Sequence, residues 1–169
     1  MRLVKRLARR WLARSWGGGE VEAATSRGGT GTAAPGAAPV AAPLTPGSPA
    51  PDCRGWAPDG APIELAMAGR TAILVFLTST CRECRPVWQG GTAAVAAGAR
   101  GAPGETVLIT PDPSTESRRS VAALAPADLT TVMSSAAWHA YGVTGAPWVV
   151  TVAGGVVTGS RPLGAGRPG

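Results

Sequence analysis

The strongest apolar runs of this chain begin after residue 70. The first, AILVFLT at 72–78, is bounded and rich in β-branched residues, which is typical of a strand buried on both faces. Four further runs of strand length follow at 106–110, 130–135, 148–152 and 155–159. Ala153 and Gly154 form a turn signal between the last two runs, so we expect a hairpin there.

Helical segments are predicted between these strands. One follows residue 84 and runs to about residue 99, and two adjacent glycines weaken it. A second covers 114–124, with a serine N-cap and Glu116 in its first turn, and a helical turn follows at 136–142. Because strands and helices alternate before a hairpin, the pattern predicts an α/β domain at 52–160, in which a central mixed sheet is flanked by helices.

The first 51 residues and the last nine lack this pattern. Residues 1–16 combine apolar side chains at helical spacing with arginines on the other faces, which predicts a basic amphipathic helix. Residues 17–51 are rich in Gly, Ala and Pro and hold almost no large apolar residue, so we expect a disordered linker. Residues 161–169 contain two prolines and three glycines and are expected to form a disordered tail instead of a helix.

The net charge of +6 comes from the N-terminal segment. Six of the sixteen basic residues lie within 1–16, and the remaining ten are balanced by ten acidic residues. A folded domain that binds a polyanion carries its own basic patch, so nucleic acid is not an expected partner. Basic amphipathic helices lie instead on anionic membrane surfaces, and we expect this of residues 1–16. A solvated, arginine-rich terminus is the alternative.

The N-terminal segment does not match other membrane signals. No apolar run before Trp16 exceeds three residues without a charge, whereas a secretory signal needs a longer apolar core. No stretch of the sequence is long enough to span a bilayer. The expected membrane association is therefore peripheral or tethered.

Cys81 and Cys84 lie where the strand at 72–78 ends and the next helix begins. The helix dipole and unpaired N–H groups of a first helical turn stabilise an anion, so a cysteine there has a thiol pKa below the ordinary ~8.5. Cys81 is the candidate attacking thiol, and Cys84, nearer the core, is the candidate resolving thiol. Arg82 favours the thiolate and Glu83 opposes it, so the sign of the local charge stays open.

Three segments together resemble a known family. A C-x-x-C after a buried strand in a βαβ pattern is typical of thioredoxin-like redox centres. The segments FLTSTCRECRPVW (76–88), VLITPD (107–112) and AYGVTGAPWVVTV (140–152) carry the likeness. The chain resembles the thioredoxin superfamily over roughly residues 56–160, in particular the tethered thiol-disulfide oxidoreductases of cytochrome maturation and methylamine utilisation.

The resemblance implies a thioredoxin fold in which Cys81 and Cys84 exchange disulfides with protein substrates and a redox partner, without a cofactor. It also implies that Pro147 is a cis-proline facing the pair, and that Ala146 presents its N–H and C=O groups to a bound substrate. Trp88 is expected to pack near the pair. Similar proteins are anchored at the membrane with the domain on the cell-envelope side. Their fold normally closes with a helix, which we expect to be missing here.

Three other interpretations remain. Cys53 and His139 could complete a zinc site with the pair, but a lone thiol and a packing or surface histidine are favoured because no second C-x-x-C spacing exists. Thr78 stands where peroxiredoxins have a threonine before their reactive cysteine, but Leu74 replaces the expected proline. The third interpretation is a redox-inert binding or scaffold domain that kept the fold, which the missing closing helix favours.

The amphipathic segment yields a direct prediction. The full chain is expected to float with liposomes containing anionic lipid, and a variant lacking residues 1–16 is expected to stay in the dense fraction, because the six basic charges are removed. Vesicles of neutral lipid are the control. Equal flotation of the two chains would contradict a membrane role for this segment.

Overall fold

The structure is a computed structural model that describes residues 42–99 and 103–163. The predicted helix at 1–16, the linker up to residue 41 and the tail from 164 lie outside these residues. The elements are β1 (Cys53–Trp56), β2 (Pro62–Leu65), β3 (Ala72–Phe76), α1 (Arg85–Gly98), β4 (Glu105–Thr110), α2 (Arg118–Leu124), β5 (Thr130–Met133), α3 (Ser135–Ala140), β6 (Trp148–Ala153) and β7 (Val156–Pro162).

The seven strands form one sheet in the order β2-β1-β5-β4-β3-β6-β7. The three central strands β5, β4 and β3 are parallel, and β6, β7, β1 and β2 add to the two sides in antiparallel pairings. The predicted α/β class and the mixed sheet are therefore confirmed. In the described part of the chain no helix follows β7, which ends one residue before Leu163.

β3 is the centre of the core, because all five of its residues are buried. Its alternate side chains belong to two apolar clusters on opposite faces of the sheet. Leu74 and Phe76 pack towards Tyr141 and Trp138, while Ile73 and Val75 pack in the cluster that includes α1 and α2. Burying each such side chain contributes about 1.5–3 kcal/mol, so this strand is strongly held in place.

A hairpin that lies outside the predicted strands precedes the central strands. β1 and β2 pair from Cys53↔Leu65 to Trp56↔Pro62, and a turn joins them. In that turn the Gly60 N–H donates to the Ala57 carbonyl at 2.9 Å. Cys53 is the first residue of this paired hairpin and is 0% exposed in the core.

The end of the predicted linker is also hydrogen-bonded to the domain. We call residues 44–51 the strap. The Leu44 N–H donates to the Tyr141 carbonyl at 3.3 Å, and the Ala50 N–H donates to the Gly155 carbonyl at 2.9 Å. The Tyr141 hydroxyl donates to the Pro51 carbonyl at 2.7 Å. Leu44 and Ala50 also pack on the core cluster, so hydrogen bonds and two apolar side chains together hold a segment of linker-like composition.

Two helices differ in detail from their predictions. α1 contains a non-helical residue, Gly91 (φ 50°, ψ −135°), at the glycine pair expected to weaken it. α2 begins only after Ser117, whose side chain accepts from the Ser120 N–H at 3.3 Å. Ser114 is not the cap, because its N–H and hydroxyl both donate to Asp112 Oδ1 in a local turn. Glu116 therefore lies before the helix and not in its first turn.

None of the described helices is both long and apolar enough to cross a lipid bilayer.

Gly142 yields a stability prediction. Its φ of +64° is strained for other residues, and an added Cβ would collide with the carbonyl of Ala42 and lie 2.7 Å from the Pro43 nitrogen. Gly142→Ala is therefore expected to lower the free energy of unfolding by about 1–3 kcal/mol, measured by urea denaturation. Gly145→Ala is the control, because a Cβ there meets no atom within 4 Å. Equal midpoints for the two variants would contradict the packing of Ala42 and Pro43 against Gly142.

Candidate functional site

Cys81 and Cys84 form a disulfide in the turn between β3 and α1, with their Cα atoms 5.3 Å apart. Cys84 is the N-cap residue of α1 and is 0% exposed, whereas Cys81 is half-buried. Cys84 caps the helix because the chain enters helical hydrogen bonding only at Val87 and Trp88, whose N–H groups donate to the Cys84 carbonyl. One sulfur is therefore accessible and the other is covered.

The turn holds Cys81 by backbone hydrogen bonds. The Cys84 N–H donates to Cys81 Sγ at 3.2 Å, and the Cys81 N–H donates to the Thr78 carbonyl at 3.4 Å. Such an N–H at a helix start stabilises a sulfur anion. In the reduced protein this arrangement favours a thiolate at Cys81 over one at buried Cys84.

Arg82 and Glu83, the two charged residues between the cysteines, are both exposed. Glu83 Oε2 lies 3.8 Å from Cys81 Sγ. A carboxylate at this distance opposes a second negative charge and raises a thiol pKa, in the direction opposite to the helix dipole. Arg82 is exposed beside it. The sequence left the sign of the local charge open, and the structure places the acidic side chain against the sulfur.

Trp88 lies on the inner side of the turn, as expected. It is 4% exposed and packs in the same cluster as Cys84 and, at its edge, Cys81. Its Nε1 donates to the Thr78 carbonyl at 3.3 Å. Trp88 thereby shares the apolar cluster of Cys84 and ties α1 to the loop after β3.

The segment before β6 faces the accessible sulfur. The Ala146–Pro147 peptide bond is cis, which is the geometry that the resemblance implies for this position. The Ala146 carbonyl oxygen lies 3.7 Å from Cys81 Sγ. The Pro147 carbonyl accepts a hydrogen bond from the Leu163 N–H at 2.9 Å. The structure thus brings together Cys81, Ala146 and Pro147, which are far apart in the sequence.

Cys53 and His139 are placed differently. Burial raises the pKa of the Cys53 thiol to about 11, despite a hydrogen bond with the Tyr141 side chain that acts the other way. His139 is exposed in the last turn of α3. Over the described ranges 42–99 and 103–163, no group of three or more His, Cys, Asp or Glu residues is arranged to hold a metal ion.

Sequence reasoning missed one contact at the redox turn. The carboxylate of Glu116 accepts a hydrogen bond from the backbone N–H of Ser79, two residues before Cys81. The two residues are separated by 37 positions, and no local pattern relates them. Only the topology could have indicated this contact. The parallel strands β3 and β4 end at the same edge of the sheet, so the loops that follow them lie close together.

Comparisons with known proteins find structural likeness without a sequence match. No protein-family profile matches the chain, and no curated protein sequence matches it. Among solved structures, a DsbE-type thiol:disulfide interchange protein from Chlorobium tepidum is 25% identical, with a TM-score of 0.54 over 74% of this chain and 89% of that one. The thioredoxin domain of a thiol-disulfide oxidoreductase from Bacteroides vulgatus is 17% identical, with a TM-score of 0.54 over 72% and 91% of the two chains.

A thiol-disulfide oxidoreductase from Bacteroides fragilis is 13% identical, with a TM-score of 0.52 over 69% of this chain and 92% of that one. These likenesses show that the chain has a thioredoxin fold, and they confirm the resemblance to the thioredoxin superfamily. The similarity covers most of each solved structure, so the likeness concerns whole domains and not an isolated motif. These structural neighbours are thiol-disulfide oxidoreductases.

The different environments of the three cysteines yield a labelling prediction. After reduction, iodoacetamide at pH 8 is expected to modify Cys81 first and Cys53 only after denaturation, because the reactive form is the thiolate and the Cys53 pKa of about 11 leaves little of it. Peptide mass spectrometry over time measures both rates, and the same protein in urea is the control. Equal rates in the native protein would contradict the buried position of Cys53.

Proposed function

We propose that this member of the thioredoxin superfamily is a thiol-disulfide oxidoreductase that exchanges disulfides with protein substrates through Cys81 and Cys84. The observation that carries the proposal is the disulfide between an accessible and a buried cysteine at a helix start, with the Ala146 carbonyl oxygen 3.7 Å from the accessible sulfur. The structural neighbours are named for the same chemistry.

The reduced pair transfers two electrons to a substrate disulfide. The Cys81 thiolate attacks one substrate sulfur, a new S–S bond forms, and the substrate's other sulfur leaves as a thiolate that takes up a proton. Cys84, deprotonated, then attacks Cys81 Sγ, which closes the Cys81–Cys84 disulfide and releases the second substrate thiol. The substrate is reduced and the pair is oxidised. The same steps in reverse oxidise a substrate dithiol.

The protein's other groups have defined parts in this cycle. The N–H of Cys84 and the start of α1 stabilise the Cys81 thiolate, while Glu83 restrains it. Ala146 and Pro147 form the surface on which an extended substrate segment lies, with the Ala146 C=O and N–H as hydrogen-bonding groups. Trp88 keeps Cys84 covered until the mixed disulfide has formed.

A second protein must return the pair to its starting state after each turnover. Whether the chain works as a reductant or as an oxidant follows from its reduction potential relative to that of its compartment. We propose that residues 1–16 tether the domain to an anionic membrane surface, so that substrate and partner are met there, on the cell-envelope side that the family resemblance implies.

The function is tested by redox titration and substrate trapping. The wild-type chain is equilibrated in thiol buffers of graded potential, and the oxidised fraction is measured by alkylation and mass spectrometry. We expect one two-electron transition in the range of roughly −120 to −270 mV that related proteins span. Cys84→Ser is expected to accumulate mixed disulfides with a reporter such as insulin, because no resolving thiol remains.

Two controls make the result specific. Cys81→Ser is expected to trap nothing, and Cys53→Ser is expected to titrate like the wild type, since Cys53 is buried away from the pair. A wild-type chain with no intramolecular disulfide at any potential, together with a Cys84→Ser variant that traps no species, would overturn the proposal in favour of a redox-inert binding domain.

A further inference from the structure

Glu116 is the carboxylate that reaches the redox turn from another element. It lies in the segment between β4 and α2, and its Oε1 accepts the N–H of Ser79. Ser79 is the residue after Thr78. The Thr78 carbonyl accepts hydrogen bonds from the Cys81 N–H and from Trp88 Nε1. The three hydrogen bonds hold consecutive residues of one short loop, so Glu116 fixes the loop that presents Cys81.

The other oxygen of this carboxylate is not neutralised. Glu116 Oε2 is buried, and no donor in the described part of the chain hydrogen-bonds to it. The ion pairs Arg54–Glu64 and Arg70–Glu105 do not include it. A carboxylate can accept about four hydrogen bonds, so one backbone N–H leaves most of its charge unshielded.

The cavity beside Glu116 is small, and most of its lining residues carry a hydroxyl group. It lines a cavity of about 250 Å³ together with the hydroxyl-bearing residues Thr78, Ser79, Thr80, Thr115, Ser117 and Ser120. No lysine or arginine lines this cavity. Its lining therefore carries one negative charge and uncharged hydroxyls, next to the turn on which a thiolate has to form.

We propose that Glu116 is a positioning residue for the redox pair, which clamps the 78–80 loop through Ser79 and, by its charge, makes the pair a stronger reductant. The proposal rests on the proposed function and deepens it. A negative charge near Cys81 destabilises the thiolate, and with it the reduced state, relative to the uncharged disulfide. A couple whose reduced state is less stable has a more negative potential. Glu83 acts on the same sulfur in the same direction.

Two substitutions separate the charge from the clamp. Glu116→Gln keeps an oxygen acceptor for the Ser79 N–H and removes the charge. It is expected to lower the Cys81 thiol pKa by about half a unit, a threefold change in the thiolate equilibrium. At a pH where Cys81 is largely ionised in the reduced protein, the same threefold change makes the potential less negative by about 15 mV, since a tenfold change corresponds to about 30 mV.

Glu116→Ala removes both features. It is expected to shift the thiol pKa as the glutamine variant does, and in addition to speed amide hydrogen exchange at Ser79 at least tenfold, because the N–H loses its acceptor. Glu64→Gln is the matched control. Glu64 lies on the edge strand β2, away from the redox turn, and its carboxylate pairs with Arg54 on β1. It is expected to leave the pKa, the potential and the exchange rate unchanged.

The experiment uses the full chain, with thiolate absorbance at 240 nm, redox titration and hydrogen exchange measured on each variant. A wild-type couple that titrates normally while Glu116→Gln behaves like Glu64→Gln would overturn the charge effect and leave the proposed function intact. Unchanged exchange of Ser79 in Glu116→Ala would overturn the clamp. A wild-type chain without a titratable couple would overturn the proposed function, and this inference with it.

Discussion

The burial of β3 between β4 and β6 is the constraint on which the site depends. Phe76, at its end, pairs with Ile109 on one side and Trp148 on the other. Because β4 runs parallel to β3 and β6 runs antiparallel to it, the end of β4 and the beginning of β6 lie beside the end of β3. Three loops distant in sequence therefore meet at one edge of the sheet, and they carry the cysteine pair, Glu116 and the cis peptide bond at Pro147.

The parts of this arrangement that have a local signal could be predicted from the sequence. β3, β4 and the β6–β7 hairpin are strong apolar runs with turn residues beside them, and the cysteine spacing marks the start of α1. The position of Pro147 opposite the pair came from a family resemblance and not from periodicity. The structure adds the distance, since the carbonyl of the preceding Ala146 lies 3.7 Å from Cys81 Sγ.

The rest could not be predicted because its interactions are not local. Asp59-Gly60 is a hairpin signal, but Gly55 and Pro62 are poor strand residues, so local propensity does not mark β1 and β2 as strands. They pair with each other at four positions, and β1 joins β5 at Trp56↔Met133. Cys53 follows a proline-rich segment, so no local pattern marks it as a core residue, although it is a small apolar residue buried in the core. Glu116 had the sequence features of a helix start, and its contact with Ser79 depends on tertiary structure.

The strap has a consequence for association between molecules. It lies along the outer side of β7. The Val157 N–H donates to the Ser48 carbonyl, and the Gly47 N–H donates to the Val157 carbonyl. Pro49 forms an isolated antiparallel β-bridge with Val156. An edge strand with free N–H and C=O groups is a template on which a second chain can add a strand. The segment that occupies this part of the edge is interrupted by Pro46, Pro49 and Pro51, which cannot donate hydrogen bonds. Where β7 begins, the proline-rich strap therefore occupies the edge of the sheet and offers few backbone donors to which a further strand can pair.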